Sequence, residues 1–254
     1  MLGEDGKMLD FGTLGGTSGC AINLNNHGQV IGYSNLGGDL TFHPFVWEDG
    51  ALRDLGTLDG PNGIAFPINE RGEVVGDGEV DSPLGCASPN CLVHGFLWKD
   101  GAMTDLGTIA GTDKSDAASI NSKTQIVGAA FTSDFSVVDA FLWERGSLVD
   151  LNSPIPSDTA LHLLKGTAIN DRGEIAGFGG LPNGDVHAFM LIPCDEDHPN
   201  VEGCDYSEFD EASAPELHGA QLPANQQKLT PVVVKDQIRA MMMNRNRRFG
   251  PWRP

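Results

Sequence analysis

Four positions along the sequence carry side chains that bind metals or transfer protons. Each lies shortly before an apolar run, and the four are His43, His94, Asp139 and His187. Three imidazoles and one carboxylate make a transition-metal site if the fold gathers them around one axis. Recurrence at equivalent positions also predicts a structural role, such as an imidazole bound to a backbone carbonyl of a neighbouring strand. The sequence leaves both interpretations open.

A second recurring set consists of aspartates that stand just before turn residues. Its members are Asp10, Asp54, Asp105 and Asp150. Aspartate at such a place commonly caps a turn by accepting hydrogen bonds from nearby backbone N–H groups. Clustered carboxylates also bind Ca²⁺. The set therefore predicts either turn caps or a cation site, and the cofactor, if there is one, is a divalent cation: calcium or a transition metal.

The segments that must position these residues recur four times. One phrase reads LNNHGQVIG (24–32), INERGEVVG (68–76), INSKTQIVG (120–128) and INDRGEIAG (169–177), with its asparagines 44, 52 and 49 residues apart. A second phrase alternates with it and reads HPFVWEDGALRDLGTLDG (43–60), HGFLWKDGAMTDLGTIAG (94–111), DAFLWERGSLVDLN (139–152) and HAFML (187–191). A period of 40–50 residues indicates one supersecondary unit that is stacked repeatedly.

Each unit contains four short segments of strand character. Asp49-Gly50 and Asp100-Gly101 are hairpin signals, because both central residues tolerate positive φ. The tryptophans of the Phe-x-Trp segments (Trp47, Trp98 and Trp143) are predicted to lie in the core between units. Four strands in about 48 residues is typical of a β-propeller blade. We therefore predict an all-β fold over residues 1–193.

The two ends of the repeat region predict how the array closes. Residues 4–16 (EDGKMLDFGTLGG) match residues 48–60, so the N-terminal unit lacks its first strand, and HAFML (187–191) supplies that strand. Three N-terminal strands and one C-terminal strand then complete a fourth four-stranded blade, which leaves no open sheet edge. A ring of five blades and an open array are the alternatives.

The repeat pattern stops after Pro193. Residues 194–227 read as an acidic loop and linker, and residues 228–254 as a short helix followed by a basic tail. The helix is predicted over 231–243, because Thr230-Pro231 resembles an N-cap followed by proline at the first helical position.

The cysteines predict local disulfides. Cys86 and Cys91 bracket one turn-like segment, and Cys194 and Cys204 bracket another. Such pairs in loop sequence suit an oxidising compartment, whereas neither spacing fits a pair of zinc-binding CxxC motifs. Cys20 is left over.

Charge limits the partners that we expect. The formal net charge is −19; residues 1–227 hold 34 acidic and 9 basic residues, whereas residues 228–254 hold seven basic residues and one acidic residue. An acidic body repels nucleic acid and anionic lipid. The sequence contains no apolar run of about 18 residues, the length that a membrane-spanning helix requires. No signal peptide is recognisable in the chain. A protein, a glycan or a small molecule is the expected ligand.

Over about residues 4–191 the chain resembles the HAF-repeat family of predicted extracellular bacterial repeat proteins. The resemblance is based on three segments: His187-Ala188-Phe189, the DLGTL motif at 54–58 and the INERGEVVG motif at 68–76. Asp139 departs from the motif histidine, and Asn152 departs from the motif glycine. The resemblance implies a β-rich, exported protein of the extracellular space or cell envelope, and it transfers no catalytic residue.

Two functions follow from this sequence. The first is a secreted or surface-associated binding or scaffold module, because no GxSxG, P-loop or dinucleotide-binding motif occurs. The alternative is a metal-dependent propeller hydrolase of lactonase or esterase type with its site at the channel mouth. There His43, His94, His187 and Asp139 would hold a cation that polarises a carbonyl group. Whether the chain is an enzyme stays open.

Overall fold

The computed structural model describes residues 6, 8–80, 91–155, 159–199 and 201. These residues form β-strands and no α-helix, so none of them belongs to a helix long and apolar enough to cross a membrane. The strands are β1 (Gly15–Leu24), β2 (Val30–Leu36), β3 (Phe42–Glu48), β4 (Ala51–Asp54), β5 (Gly63–Ile68), β6 (Val74–Val80), β7 (Leu92–Lys99), β8 (Ala102–Asp105), β9 (Lys114–Ile120), β10 (Ile126–Phe131), β11 (Val138–Glu144), β12 (Ser147–Asp150), β13 (His162–Ile169), β14 (Ile175–Gly180) and β15 (Val186–Leu191).

The strands form four antiparallel sheets in chain order. The first sheet contains β1–β4, the second β5–β8, the third β9–β12 and the fourth β13–β15. Each sheet is a meander, in which every strand pairs with the next strand along the chain. The predicted all-β fold is confirmed. The predicted helix at 231–243 and the predicted segment 228–254 lie outside the described residues, as does the predicted acidic loop and linker at 194–227 apart from residues 194–199 and 201.

The predicted grouping of the strands is wrong in one respect. Each sheet begins with the strand that precedes the repeat asparagine, whereas the predicted unit begins at the phenylalanine strand. The pairs Gly32↔Phe45 and Phe45↔Asp54 place β1 and β2 in one sheet with β3 and β4. HAFML, as β15, pairs with β14 instead (Gly177↔Phe189). Pairing strands that are neighbours in sequence closes short loops and therefore loses less chain entropy than pairing distant segments.

The hairpin turns after β3, β7 and β11 have the backbone that the sequence predicts. Asp49 and Gly50 have φ of 49° and 83°, and Asp100 and Gly101 have φ of 53° and 83°. Two positive φ angles in a two-residue loop match the right-handed twist of the flanking strands. Arg145 takes the aspartate position of the third turn with φ of 51°.

A glycine in the second strand of each sheet permits a close approach of the first strand. A Cβ atom on Gly76 would lie 2.0 Å from the carbonyl oxygen of Ile64, and one on Gly128 would lie 1.9 Å from that of Asp116. The same atoms would press against the rings of Phe96 and Phe141. Glycine is therefore required here because there is no space for a side chain.

Extensive packing joins consecutive sheets only, within the described strands. Each interface buries one face of a sheet against the first strand and aromatic residues of the next sheet. Leu97 and Leu106 of the second sheet thus pack with Phe141 and Trp143 of the third. The core role predicted for the tryptophans is confirmed for Trp98 and Trp143. Closure of the ring and the number of blades stay predictions.

The repeat asparagines connect the sheets through a chain of side-chain hydrogen bonds. The Nδ2 groups of Asn25, Asn69 and Asn121 each donate to the backbone carbonyl of the repeat asparagine in the next sheet, at 3.0, 3.0 and 2.9 Å. The last acceptor is the carbonyl of Asn170. Each Oδ1 accepts two backbone N–H groups of its own turn, as at Asn121, where Lys123 and Gln125 donate. The donor asparagines are buried.

Replacing Asn121 by aspartate tests this chain. The variant keeps the Oδ1 acceptor but loses the donor to the Asn170 carbonyl and places a carboxylate beside that oxygen. We expect Asn121→Asp to lower the free energy of unfolding by about 2–4 kcal/mol, because it buries a charge and leaves the Asn170 carbonyl without this donor. Urea denaturation monitored by tryptophan fluorescence measures the change.

The matched control is Asn23→Asp. Asn23 is exposed, and its Oδ1 accepts the N–H of Leu24, a role that aspartate retains. An equal loss of stability in both variants would contradict an inter-sheet role for Asn121.

Candidate functional site

The structure brings two members of each recurring set together as pairs. Nδ1 of His43 lies 2.8 Å from Oδ2 of Asp54, and Nδ1 of His94 lies 2.8 Å from Oδ2 of Asp105. Each histidine lies on the third strand of its sheet, and each aspartate ends the fourth strand. The pair therefore ties an outer strand to its neighbour at the end away from the hairpin turn.

The aspartates also cap the turns that follow them. The N–H of Gly56 donates to Asp54 at 2.8 Å, and the N–H of Gly107 donates to Asp105 at 2.7 Å. Burial alone would raise the pKa of Asp105, but the hydrogen bonds from His94 and Gly107 outweigh it and lower the pKa. Turn capping, one of the two expected roles of these aspartates, is thus observed at both positions.

The third sheet replaces this pair with a contact to the fourth. Asp139 stands where the other sheets have histidine, and Nε2 of His162 on β13 lies 2.9 Å from its Oδ1. The same nitrogen lies 3.1 Å from the carbonyl oxygen of Val138. Asp150 keeps the capping role, accepting the N–H of Asn152 at 2.8 Å. His162 is not among the site residues predicted from the sequence, although the change from histidine to aspartate at position 139 is a signal of this contact.

The fourth sheet holds the incomplete copy of the pair. His187 lies exposed on β15, and no fourth strand lies beside it in the described part of the chain. Asp10, the matching aspartate, caps its own turn by accepting the N–H of Gly12 at 2.9 Å. The structure therefore does not pair His187 with Asp10 within one chain.

No three His, Cys, Asp or Glu side chains lie close enough to share a metal ion, among the residues that the structure describes. The metal site predicted at His43, His94, Asp139 and His187 stays a prediction, as does a cation at the aspartates. Cys20 is a free thiol. Cys86 and Cys204 lie outside the described residues, so the two disulfide pairings with Cys91 and Cys194 stay predictions as well.

An ion pair between Lys165 of β13 and Asp116 of β9 lies buried between the third and fourth sheets. The other carboxylate oxygen of Asp116 accepts the N–H of Ala129 at 3.1 Å. The cost of removing two charges from water offsets much of the attraction in a buried pair of this kind, whereas removal of one partner alone is strongly destabilising. Both residues stand five positions before a repeat asparagine, so opposite charges at equivalent positions of adjacent repeats were the signal in the sequence.

Glu73 forms a second buried charged site, at the asparagine turns. Its carboxylate accepts from Asn69 and Thr124 and forms salt bridges with Lys99 at 2.8 Å and Arg71 at 3.2 Å. Burial would raise its pKa, but these hydrogen bonds and the Lys99 charge outweigh burial and lower it. The residue is therefore held ionised and connects the second sheet to the third.

The loops between second and third strands form a common surface, which we call the loop face. Because the repeat asparagines contact one another, their turns lie at one end of the array, and the second-to-third loops lie at the other. The described loops are 37–41, 132–137 and 181–185. Their sequences (GGDLT, TSDFSV and LPNGD) share no motif, in contrast to the turns at the opposite end.

Local hydrogen bonds fix the loop face. Asp39 accepts the N–H of Thr17 at 2.7 Å and an amide N–H of Asn35 at 3.1 Å, and these bonds lower its pKa. The rings of Phe131 and Phe135 stack with their centroids 5.1 Å apart. Leu40, at the tip of its loop, is 90% exposed. The loops thus hold different side chains in ordered positions, which is how rigid scaffolds present binding residues.

Replacing His94 by alanine tests whether the histidine–aspartate pairs are structural. We expect His94→Ala to lower the free energy of unfolding by about 1 kcal/mol, because the charge-assisted bond to Asp105 is lost at a partly exposed site. His43→Ala should behave alike. His27→Ala, on an exposed side chain 3.9 Å from Glu70, should leave stability unchanged. Equal stability of wild type and His94→Ala would rule out this role.

The contact of His162 predicts a pH dependence of stability. Burial would lower the His162 pKa, but Asp139 and the Val138 carbonyl outweigh it and raise the pKa above the reference value of 6.5. Its stabilising contribution is therefore complete below pH 6.5 and is lost as pH rises through the folded-state pKa. We expect the unfolding free energies of wild type and His162→Gln to converge with rising pH in denaturant titrations. A constant difference would contradict the contact, and His27→Gln is the control.

Similarity to known proteins is found among solved structures. No model of a protein family matches the sequence, and no curated protein matches it. Among solved structures, the fold is similar to the acylaminoacyl peptidase of Pyrococcus horikoshii (orthorhombic crystal form), with a TM-score of 0.42 and 12% sequence identity. The match covers 68% of this chain and 25% of the peptidase chain, so the chain spans about a quarter of that protein. At this level of similarity, neither fold nor activity is transferred from the peptidase.

Proposed function

We propose that the protein is a secreted or surface-associated repeat β-propeller that acts as a binding or scaffold module through its loop face. One observation carries this proposal: the recurring polar side chains form hydrogen bonds with other residues of the array. His43 and His94 bond to Asp54 and Asp105, and the repeat asparagines bond from sheet to sheet.

The division between constant and variable positions supports a binding role. The constant side chains hold strands and sheets together, whereas the loops at one end differ in sequence and are fixed by their own hydrogen bonds. In repeat proteins that bind ligands, the array supplies rigidity and the loops of one face supply specificity.

The propeller architecture is part of the same proposal. Four sheets follow one another, and the first strands β1, β5, β9 and β13 of consecutive sheets contact each other, as inner strands of blades do. Among the described residues no fourth strand pairs with β15, and Met8–Asp10 is the repeat copy of the outer strand Leu52–Asp54. We propose that this N-terminal segment pairs with β15, so that the fourth blade has four strands.

Charge and resemblance support the location and the ligand class. The body is strongly acidic, which disfavours nucleic acid and anionic lipid and favours neutral or basic groups. The motifs that resemble the HAF repeat support export to the extracellular space or cell envelope. A glycan or a protein segment is therefore the proposed ligand. No described contact favours the metal-dependent hydrolase, which is not proposed.

A binding screen tests the proposal. Labelled protein is applied to an array of glycans and to an array of neutral and basic peptides, and we expect retention by a restricted class of them. Leu40→Asp should weaken retention at least about tenfold, because it places a charge at the tip of the loop face.

The control variant is His27→Asp, which adds the same charge at the opposite end on an exposed side chain. It should bind like wild type. Lack of any retained glycan or peptide, or equal loss in both variants, would count against a binding role of the loop face.

A further inference from the structure

The two ends of the array leave apolar side chains uncovered at the positions that interior sheets bury. Met190 on the fourth sheet is 61% exposed, whereas Leu97, at the same place in the second sheet, is 4% exposed. Leu24 on the first sheet is 65% exposed, whereas Ile169 at its place in the fourth sheet is 9% exposed. Within the described residues, no sheet therefore packs on either end as a neighbour packs on an interior sheet.

The hydrogen-bond chain has complementary ends. Interior asparagine carbonyls accept twice: that of Asn69 accepts the N–H of Gly72 and the Nδ2 group of Asn25. The carbonyl of Asn25 accepts the N–H of Gly28 and, within the described residues, no donor from another sheet. Asn170 is exposed, and its Nδ2 donates to its own turn at Glu174 but to no further sheet in this part of the chain. One end thus offers a donor and the other an acceptor.

The N-terminal segment already behaves as part of a preceding sheet. Phe11 occupies the repeat position of Leu55, and its ring stacks on Trp47 at 4.5 Å, as Leu55 packs with Trp98 across an interior interface. Met8 and Leu9, just before it, are exposed. The residues that would form an outer strand thus project from the first sheet without a strand to pair with.

The strand register of the complete sheets predicts how Met8–Asp10 can pair with β15. Phe45 pairs with Asp54 and Val46 with Arg53 in the first sheet. The same register on β15 places Asp10 opposite Phe189 and Leu9 opposite Met190. Asp10 then lies where Asp54 and Asp105 lie, within reach of His187, which has no carboxylate partner among the described residues.

We infer that the partner at these ends is a second copy of this chain. Met8–Asp10 of each copy becomes the outer strand of the fourth sheet of the other copy, and the first sheet of one packs on the fourth sheet of the other. Two copies related by a two-fold axis form one ring of eight sheets. The inference rests on the proposed propeller. It adds that the proposed pairing of Met8–Asp10 with β15 takes place between two copies.

Packing within one chain favours the second copy over self-closure. In the described strands only consecutive sheets pack extensively, and both terminal apolar positions are exposed. A second copy repeats the existing sheet-to-sheet interface at each end. Self-closure of four sheets would bury the same two terminal surfaces, yet Leu24 and Met190 are 65% and 61% exposed.

The first test is the mass in solution, measured by light scattering after size exclusion. Wild type should have twice the chain mass of 27.0 kDa. Leu24→Lys and Met190→Lys, which place a charge in the joined surfaces, should each have the mass of one chain. Leu40→Lys, on the loop face, should remain a dimer. A wild-type mass of one chain would overturn the second-copy inference.

The second test joins Leu9 to Met190 by a disulfide in a Cys20→Ser background. Leu9→Cys protein mixed with Met190→Cys protein should form a disulfide between unlike copies, whereas Leu9→Cys mixed with Val149→Cys should not. If the Leu9→Cys/Met190→Cys double variant instead cross-links within one chain, the second-copy inference fails and the proposed propeller stands. If Leu9 and Met190 never cross-link, the proposed strand closure itself fails.

Discussion

The fold depends on one interaction that the chain repeats: a side-chain amide that closes its own turn and donates to the next sheet. Because each buried asparagine satisfies backbone groups on both sides, the turn geometry of one sheet and the position of its neighbour are determined together. The apolar interfaces supply most of the stabilisation, but hydrophobic burial is not directional. The asparagine chain gives those interfaces their alignment.

Much of this fold could be predicted from local sequence. Asp49-Gly50 and Asp100-Gly101 predict their turns because backbone sterics act within two residues, and the tryptophans predict the core because their period matches the repeat. The grouping of strands could not be predicted, since a repeat has no intrinsic starting point in sequence. The pairs His43–Asp54 and His94–Asp105 were visible as two sets, but only the strand register shows that they meet. The buried pair of Lys165 and Asp116 depends on which faces pack.

The functional proposal follows from where polar residues are used. The recurring histidines and aspartates by themselves suggest a metal site. In the first two sheets, however, these side chains bond to each other and to turn amides, as His43 does with Asp54 and His94 with Asp105. A scaffold built in this way can change its loops without altering the residues that support it. Asp139 shows the limit of that independence, because its change from histidine is accompanied by the contact with His162 of the next sheet.

The outer edge of β15, which no described strand covers, has a consequence beyond pairing. An edge strand with exposed apolar neighbours is a template for any strand of matching register, and contacts between unlike ends form rings only when the rotation per unit closes. A small change in the angle between sheets would turn the same contacts into an open helical filament. In the assembly inferred above, the curvature of four sheets therefore decides between a particle of fixed size and a fibre, with no change in any residue at the joining surfaces.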